Sequence, residues 1–255
     1  MTRVLGLLAA GFLLAPVSPP WVKLDDALAA AAASSDKLVA AYALVGANGE
    51  REDHGSAEAD DALASKPVAA RYGEFFWVKV ADKATAKRID APSNGTNLMF
   101  LDPDGTSVGV WNVQIGGEKA VLRALDEAKA AYQPKPVPWF DGEPDEKDDG
   151  FRRKLIVYAF LDDKEASEKV IKSLEHPWVA KDHGRLTLVR KYVLDSPLAK
   201  RFKVTAAPTL IFFDGGMKVG QEVVERRTGE ITPKQIRAPM KKFFERVKKA
   251  ALEGK

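Results

Sequence analysis

The sequence predicts an α/β protein built of two consecutive units, and two observations carry that reading. Hydrophobic runs of strand length alternate with amphipathic helical stretches, and the same order of elements occurs twice. Hydrophobic residues make up 45% of the 255-residue chain and charged residues 29%, a balance that excludes global disorder and a multi-span membrane protein. This length suits two domains of about 100 to 150 residues. The net charge of +3 comes from interleaved basic and acidic residues, so nucleic acid is not expected as a partner. None of the residues is cysteine, so no thiol or disulfide of this chain takes part in its function.

Residues 1–20 have the pattern of a signal peptide: Arg3 precedes an apolar stretch from Val4 to Val17, too short for a comfortable membrane span. Export to the periplasm or the exterior is therefore expected. Pro16, Pro19 and Pro20 crowd the region where a cleavage site would need small residues, so an uncleaved N-terminal anchor stays open as the alternative. It is the only membrane contact predicted.

The first unit, residues 21–133, starts with Trp21, Leu24, Leu28 and Ala31 at helical spacing, which predicts a helix ending near Ser34 to Asp36. A strand over 38–45 runs into the loop Gly46-Ala47-Asn48-Gly49, whose Asn-Gly pair marks a tight turn. A helix is expected over 57–64 and strands over 75–80 and 98–101, the last stopped by the turn Asp102-Pro103-Asp104-Gly105. A strand over 107–113 precedes a helix with Ala120, Val121, Ala124, Leu125, Ala128 and Tyr132 on one face.

Residues 134–150 read as a linker, because Pro134, Pro136 and Pro138 lead into an acidic stretch from Asp141 to Asp149. The second unit, 151–255, repeats the order: strand 155–160, helix 164–174, strand 186–192, short helix 197–202, strands 209–213 and 221–227, and a closing helix from Pro233. Thr232 is placed as the N-cap of that helix with Gln235 as its capping-box partner, and Ile236, Met240, Phe243, Phe244 and Val247 form its apolar stripe. The halves match in residues too. Val39–Leu44 (VAAYAL) lies over Leu155–Phe160 (LIVYAF), and Leu98–Asp102 (LMFLD) over Leu210–Asp214 (LIFFD), which predicts an internal duplication.

In the second half, Leu198-Ala199-Lys200-Arg201-Phe202-Lys203-Val204 is followed by Ala207-Pro208-Thr209-Leu210-Ile211-Phe212-Phe213-Asp214-Gly215. This run resembles the short helix, proline loop and strand of the thioredoxin-like superfamily, and Leu174 to Val179 is similar to an insertion found in its secreted members. The first half resembles the family more weakly, through Leu98 to Gly105, and carries Thr96 where the family places its proline. The resemblance covers most of the chain after residue 20 and implies two thioredoxin-like α/β/α sandwich domains in tandem, each with a central mixed sheet.

Family activity depends on a Cys-x-x-Cys at the junction of the first long strand and the next helix, where the helix N-terminus lowers a thiol pKa. Those positions fall near Gly46, Ala47, Asn48 and Gly49 in the first half and near Leu161, Asp162, Asp163 and Lys164 in the second, without sulfur at either. Thiol-disulfide chemistry is excluded. The proline loop, Ala206, Ala207, Pro208 and Thr209, is the candidate peptide-binding segment, since the resemblance implies that the residue before the proline pairs its backbone with an extended peptide. Shaping the loop is the competing role for Pro208, and the sequence does not give its isomer.

Other candidates reduce to simpler accounts. Asp162 and Asp163 at a helix start are expected to cap it. The turn at Asp102 fails a calcium-loop pattern, with Val113 where a bidentate Glu is needed. His54, His176 and His183 lack ligand spacing, and Glu50, Glu52, Asp53 and His54 read as a solvated loop, so no metal site and no cofactor are predicted. Lys234, Arg237, Lys241, Lys242, Arg246, Lys248 and Lys249 are expected on the solvated face of the closing helix. Asn94-Gly95-Thr96 matches a glycosylation sequon and equally a turn. The expected function is that of a redox-inactive protein- or peptide-binding module with no catalytic residues. A structural module of a larger envelope assembly and a carboxylate or metal enzyme are the alternatives.

Overall fold

The computed structural model describes residues 18–34, 36–49, 56–142, 144–145, 154–191, 194–217 and 222–253. Residues 1–17 of the predicted signal peptide, the loop with Glu50, Glu52, Asp53 and His54, and most of the acidic stretch lie outside the described residues. By its contacts the chain divides into two compact units, Met1–Ala128 and Lys129–Lys255.

The first unit contains α1 (Leu24–Ser34), β1 (Leu38–Ala43), α2 (Ser56–Leu63), α3 (Lys66–Ala69), β2 (Phe75–Val80), α4 (Lys83–Arg88), β3 (Asn97–Leu101), β4 (Ser107–Asn112) and α5 (Gly117–Ala131). Its sheet has the order β2-β1-β3-β4, with β1 parallel to β2 and antiparallel to β3. Every residue of β1 is buried, as its unbroken apolar run requires of a strand covered on both faces. Trp77 fills the core and donates from Nε1 to the Tyr72 carbonyl at 3.0 Å, and Trp21 stacks on Tyr42 at 6.1 Å.

The second unit contains β5 (Trp139–Phe140), β6 (Leu155–Phe160), α6 (Glu165–Glu175), α7 (Pro177–Ala180), β7 (Leu186–Lys191), α8 (Pro197–Arg201), β8 (Thr209–Phe213), β9 (Val223–Thr228) and α9 (Pro233–Leu252). Its mixed sheet runs β5-β7-β6-β8-β9. Strand alternation divides the core in two. Leu155, Val157, Leu210 and Phe212 pack on Val170 and Leu174 of α6 and on Ile236, Met240 and Phe243 of α9. Ile156, Tyr158, Ile211 and Phe213 pack on Ala199 and on Phe202 beyond α8. The capping box at Thr232 and Gln235 is present as predicted.

The duplication extends to backbone detail. Leu38 pairs with Phe75 as Leu155 pairs with Leu186, and Ala43 pairs with Asn97 as Phe160 pairs with Thr209. Both β3/β4 and β8/β9 shift register at the same point, between Phe100 and Leu101 and between Phe212 and Phe213. Ala86-Lys87-Arg88 and Ala199-Lys200-Arg201 are matched helix ends, and each is followed by a residue in left-handed backbone, Asp90 at φ 54° and Lys203 at φ 52°. A short helix precedes β2 and β7 alike, α3 and α7, neither of which the sequence pattern separates from the loops.

Four expectations need correction. Leu38, and not Val39, lies over Leu155, so the aligned pair of first strands shifts by one residue. The stretch read as a linker contributes β5, since Trp139 pairs with Leu188 and Phe140 with Val189, and Val137 enters the core. Trp21 holds the matching place in the first unit as a bridge to Trp77, with Val22 N–H on the Trp77 carbonyl at 2.9 Å, so it precedes α1 and is not part of it. On α9, Arg237 is buried against Asp182 at 2.5 Å and Arg246 reaches Asp214, so two of the seven cations assigned to the solvated face turn inward.

Candidate functional site

The proline loop of the second unit joins α8 to β8. The Ala207–Pro208 peptide is cis. Pro208 is buried, and its carbonyl accepts from Gly229 N–H at 3.0 Å, while Thr209 Oγ1 bonds to the Ala206 carbonyl at 2.7 Å and to Thr228 Oγ1 at 3.0 Å. These bonds fix both flanks of the loop to β9 and to the start of β8. Ala206 is exposed and Ala207 half-buried, and the N–H and C=O of Ala207 make no hydrogen bond with the described residues. The backbone donor and acceptor of Ala207 are thus left unused among the described residues, between flanks that are hydrogen-bonded on both sides.

The junction of β6 and α6 lies within one residue of the predicted helix start. The helix expected over 164–174 is α6, Glu165–Glu175, and its N-cap is Lys164, whose side chain makes no capping bond, so the window near Leu161 to Lys164 ends on the N-cap. Ser167 is fully buried there. Its Oγ donates to Asp162 Oδ1 at 2.5 Å and accepts from Asp162 N–H at 3.0 Å. Oδ1 also accepts from Lys164 N–H at 3.3 Å. The Ser167 hydrogen bond, before the nearby Lys164 charge, holds the Asp162 carboxyl below its usual range. Asp162 therefore braces the helix start from two residues outside the N-cap, whereas Asp163 is exposed and caps nothing. Ser167 was missed in the sequence; the only signal was a small polar residue three positions after the helix start.

The first unit builds the corresponding place differently. Val113 N–H donates to the Thr96 carbonyl at 3.0 Å as Gly229 does to Pro208, which puts Thr96 at the place of Pro208 and Gly95 at that of Ala207. The Thr96 hydroxyl is buried without a partner among the described residues. Strand pairing matches Leu44 to Leu161, so Gly46-Ala47-Asn48-Gly49 is equivalent in position to Asp163 to Ala166 and is offset by two residues from the window named in the second unit. Gly46 must be glycine: a Cβ there would lie 2.5 Å from Ser93 Cα and 2.9 Å from the Pro92 carbonyl oxygen. That contact and the bond from Ala47 N–H to the Ala91 carbonyl at 2.9 Å press the loop after β1 onto the 92–96 loop.

The remaining candidates serve the fold. His176 Nδ1 accepts from Trp178 N–H at 3.2 Å, and His183 Nε2 lies 3.0 Å from the Leu174 carbonyl. Burial pushes the His183 pKa down. The turn at Asp102 is closed by its own Oδ1, which accepts from Asp104 N–H at 2.8 Å and Thr106 N–H at 3.2 Å. Asp214, its counterpart, takes Gly216 N–H at 2.9 Å and a two-pronged bond from Arg246. Among the described residues no three His, Cys, Asp or Glu side chains gather in a metal-binding group, and no helix is long and apolar enough to cross a membrane.

No known protein family matches the chain, and no curated protein does. Among solved structures, ERdj5 in crystal form II matches over 87% of this chain at 14% identity and a TM-score of 0.30; the chain spans 28% of that protein. The alkylhydroperoxide reductase component AhpF of Enterococcus faecalis, solved as a mutant, matches over 83% of this chain and 94% of its own at 13% identity and a TM-score of 0.25. A structure of the N-terminal domain of AhpF matches over 83% and 95% at 14% identity, again with a TM-score of 0.25. The architecture itself, two mixed sheets flanked by helices with a proline loop leading into β8, is consistent with two thioredoxin-like α/β domains.

Proposed function

We propose that this chain is an exported, redox-inert protein that binds an extended segment of a protein partner by backbone pairing at Ala207. The observation that carries the reading is that the N–H and C=O of Ala207 make no hydrogen bond among the described residues, while Thr209, bonded to Ala206, and Gly229, bonded to Pro208, hold the loop on either side. Pairing of this kind needs no sulfur and no catalytic side chain, so it is compatible with a chain devoid of cysteine. Affinity would come from main-chain bonds and selectivity from the side chains that flank the loop. The test is hydrogen exchange on the full chain with and without a panel of extended peptides. Slower exchange at the Ala207 amide, lost when the peptide is N-methylated along its pairing edge, supports the proposal. Binding that leaves the Ala207 amide unchanged, or that survives N-methylation at every alternate position, defeats it.

A further inference from the structure

The first unit carries two Asn-Gly pairs close to one another, and their surroundings differ in a way that bears on covalent chemistry. At Asn48-Gly49 the glycine N–H donates to the Gly46 carbonyl at 2.9 Å. At Asn94-Gly95 the glycine N–H makes no hydrogen bond with the described residues, and the Asn94 side chain is exposed and makes none either. Gly95 has φ +76°, and the place a Cβ would take lies 2.5 Å from Asn112 Nδ2 and 2.5 Å from Gln114 Oε1, so only glycine fits there. The carbonyl of that same peptide group, Asn94 C=O, accepts from Asn97 Nδ2 at 3.0 Å, and Asn97 Nδ2 also reaches the Gly95 carbonyl at 2.8 Å.

We propose that Asn94 is a site of spontaneous deamidation in the folded protein, with Asn97 as the positioning residue and water as the co-reactant. When the Gly95 amide loses its proton, the negative charge spreads onto the Asn94 carbonyl oxygen, where the Asn97 amide stabilises it by hydrogen bonding. The nitrogen then attacks Asn94 Cγ. A nitrogen–carbon bond forms, the Cγ–Nδ2 bond breaks, and ammonia leaves with the transferred proton, closing a five-membered imide. Water opens the imide at either carbonyl and gives aspartate or isoaspartate at position 94; overall, water is consumed and ammonia released. At Asn48 the same step is held back, because the Gly49 proton is bound to Gly46. In the second unit the amide at the matching place is that of Ala207, preceded by Ala206, which has no side-chain amide to attack. Of the two matching loops, deamidation therefore adds a negative charge only to the one at 92–96.

The test ages the purified full chain at neutral pH and 37 °C, natively and in urea, and quantifies both sites by peptide mass spectrometry. The unfolded chain supplies the ratio set by sequence alone. The native ratio of Asn94 to Asn48 conversion is expected to exceed it by about fivefold or more, the factor that one ordinary hydrogen bond supplies. A native ratio equal to or below the unfolded one overturns the proposal. In Asn97→Val the native ratio is expected to fall toward the unfolded value, and an unchanged ratio would overturn the part given to Asn97. Should that variant fail to fold, the native-chain ratio still decides whether Asn94 is the site.

Discussion

Replacing Arg246 by Met should cost the second unit about 3 kcal/mol. The Asp214 carboxylate is 0% exposed and receives Arg246 Nε at 2.6 Å and Nη2 at 2.7 Å. Met keeps the length of the stem that lies along α9 but removes both donors, so the carboxylate retains the Gly216 N–H as its one remaining partner among these three. Breaking a buried pair from one side costs about 3–5 kcal/mol, because the stranded charge has lost its hydration without compensation. The Arg246 side chain is itself 32% exposed, which lets water reach the vacated space and sets the expectation at the lower end. In a thermal scan this corresponds to a fall of roughly 10 °C in the transition of that unit. Urea titration of the full chain measures the loss directly, and a double-mutant cycle with Asp214→Asn identifies its cause. Asn can still accept from Gly216, so Asp214→Asn/Arg246→Met should recover more than half of the stability that Arg246→Met loses. A single-mutant loss below about 1 kcal/mol, the range of an exposed pair, would refute the reasoning. So would a double mutant no more stable than the single.

Thr96→Val should leave the first unit as stable as before or stabilise it by up to about 1 kcal/mol, since it replaces a buried hydroxyl without a partner by a methyl group of the same shape; a loss above that amount in urea titration would show that the hydroxyl is satisfied. His183 has its folded pKa pushed below the ordinary 6.5 by burial, so its contribution is complete above pH 6.5 and is lost as the pH falls toward the folded value, where the unfolded chain takes up the proton first. The slope from this group is at most about 1.4 kcal/mol per pH unit, and it should vanish in His183→Gln when stability is titrated from pH 7 down to 5.

The long elements were legible because their signals are redundant. The closing helix has a cap, a proline at its first position and an apolar stripe, and all three agree. Register was not legible in β1. Its six residues are all buried, so no alternation distinguishes one face from the other, and a slip of one residue leaves the apolar pattern intact. Strand β5 escaped notice because its two residues offer no period at all and sit among prolines, which favour an edge position in a sheet as well as a connector. At the candidate site, Pro208 marked its loop unambiguously. The neighbouring helix start is legible to within one residue but its cap is not, because two consecutive aspartates imitate one, whereas the fold places Lys164 there and recruits Asp162 through the hydroxyl of Ser167. That exchange depends on a local side-chain contact spanning five residues, longer than the three-residue reach of a capping pattern.

The parallel pairing of Trp139 and Phe140 with β7 has a practical consequence for dissecting the chain. A fragment begun after the proline-rich stretch, where composition invites the cut, would lack its outermost strand and leave the backbone edge of β7 open to association with other molecules. An expression fragment of the C-terminal half should therefore start upstream of Val137, at the cost of carrying residues that look dispensable on paper.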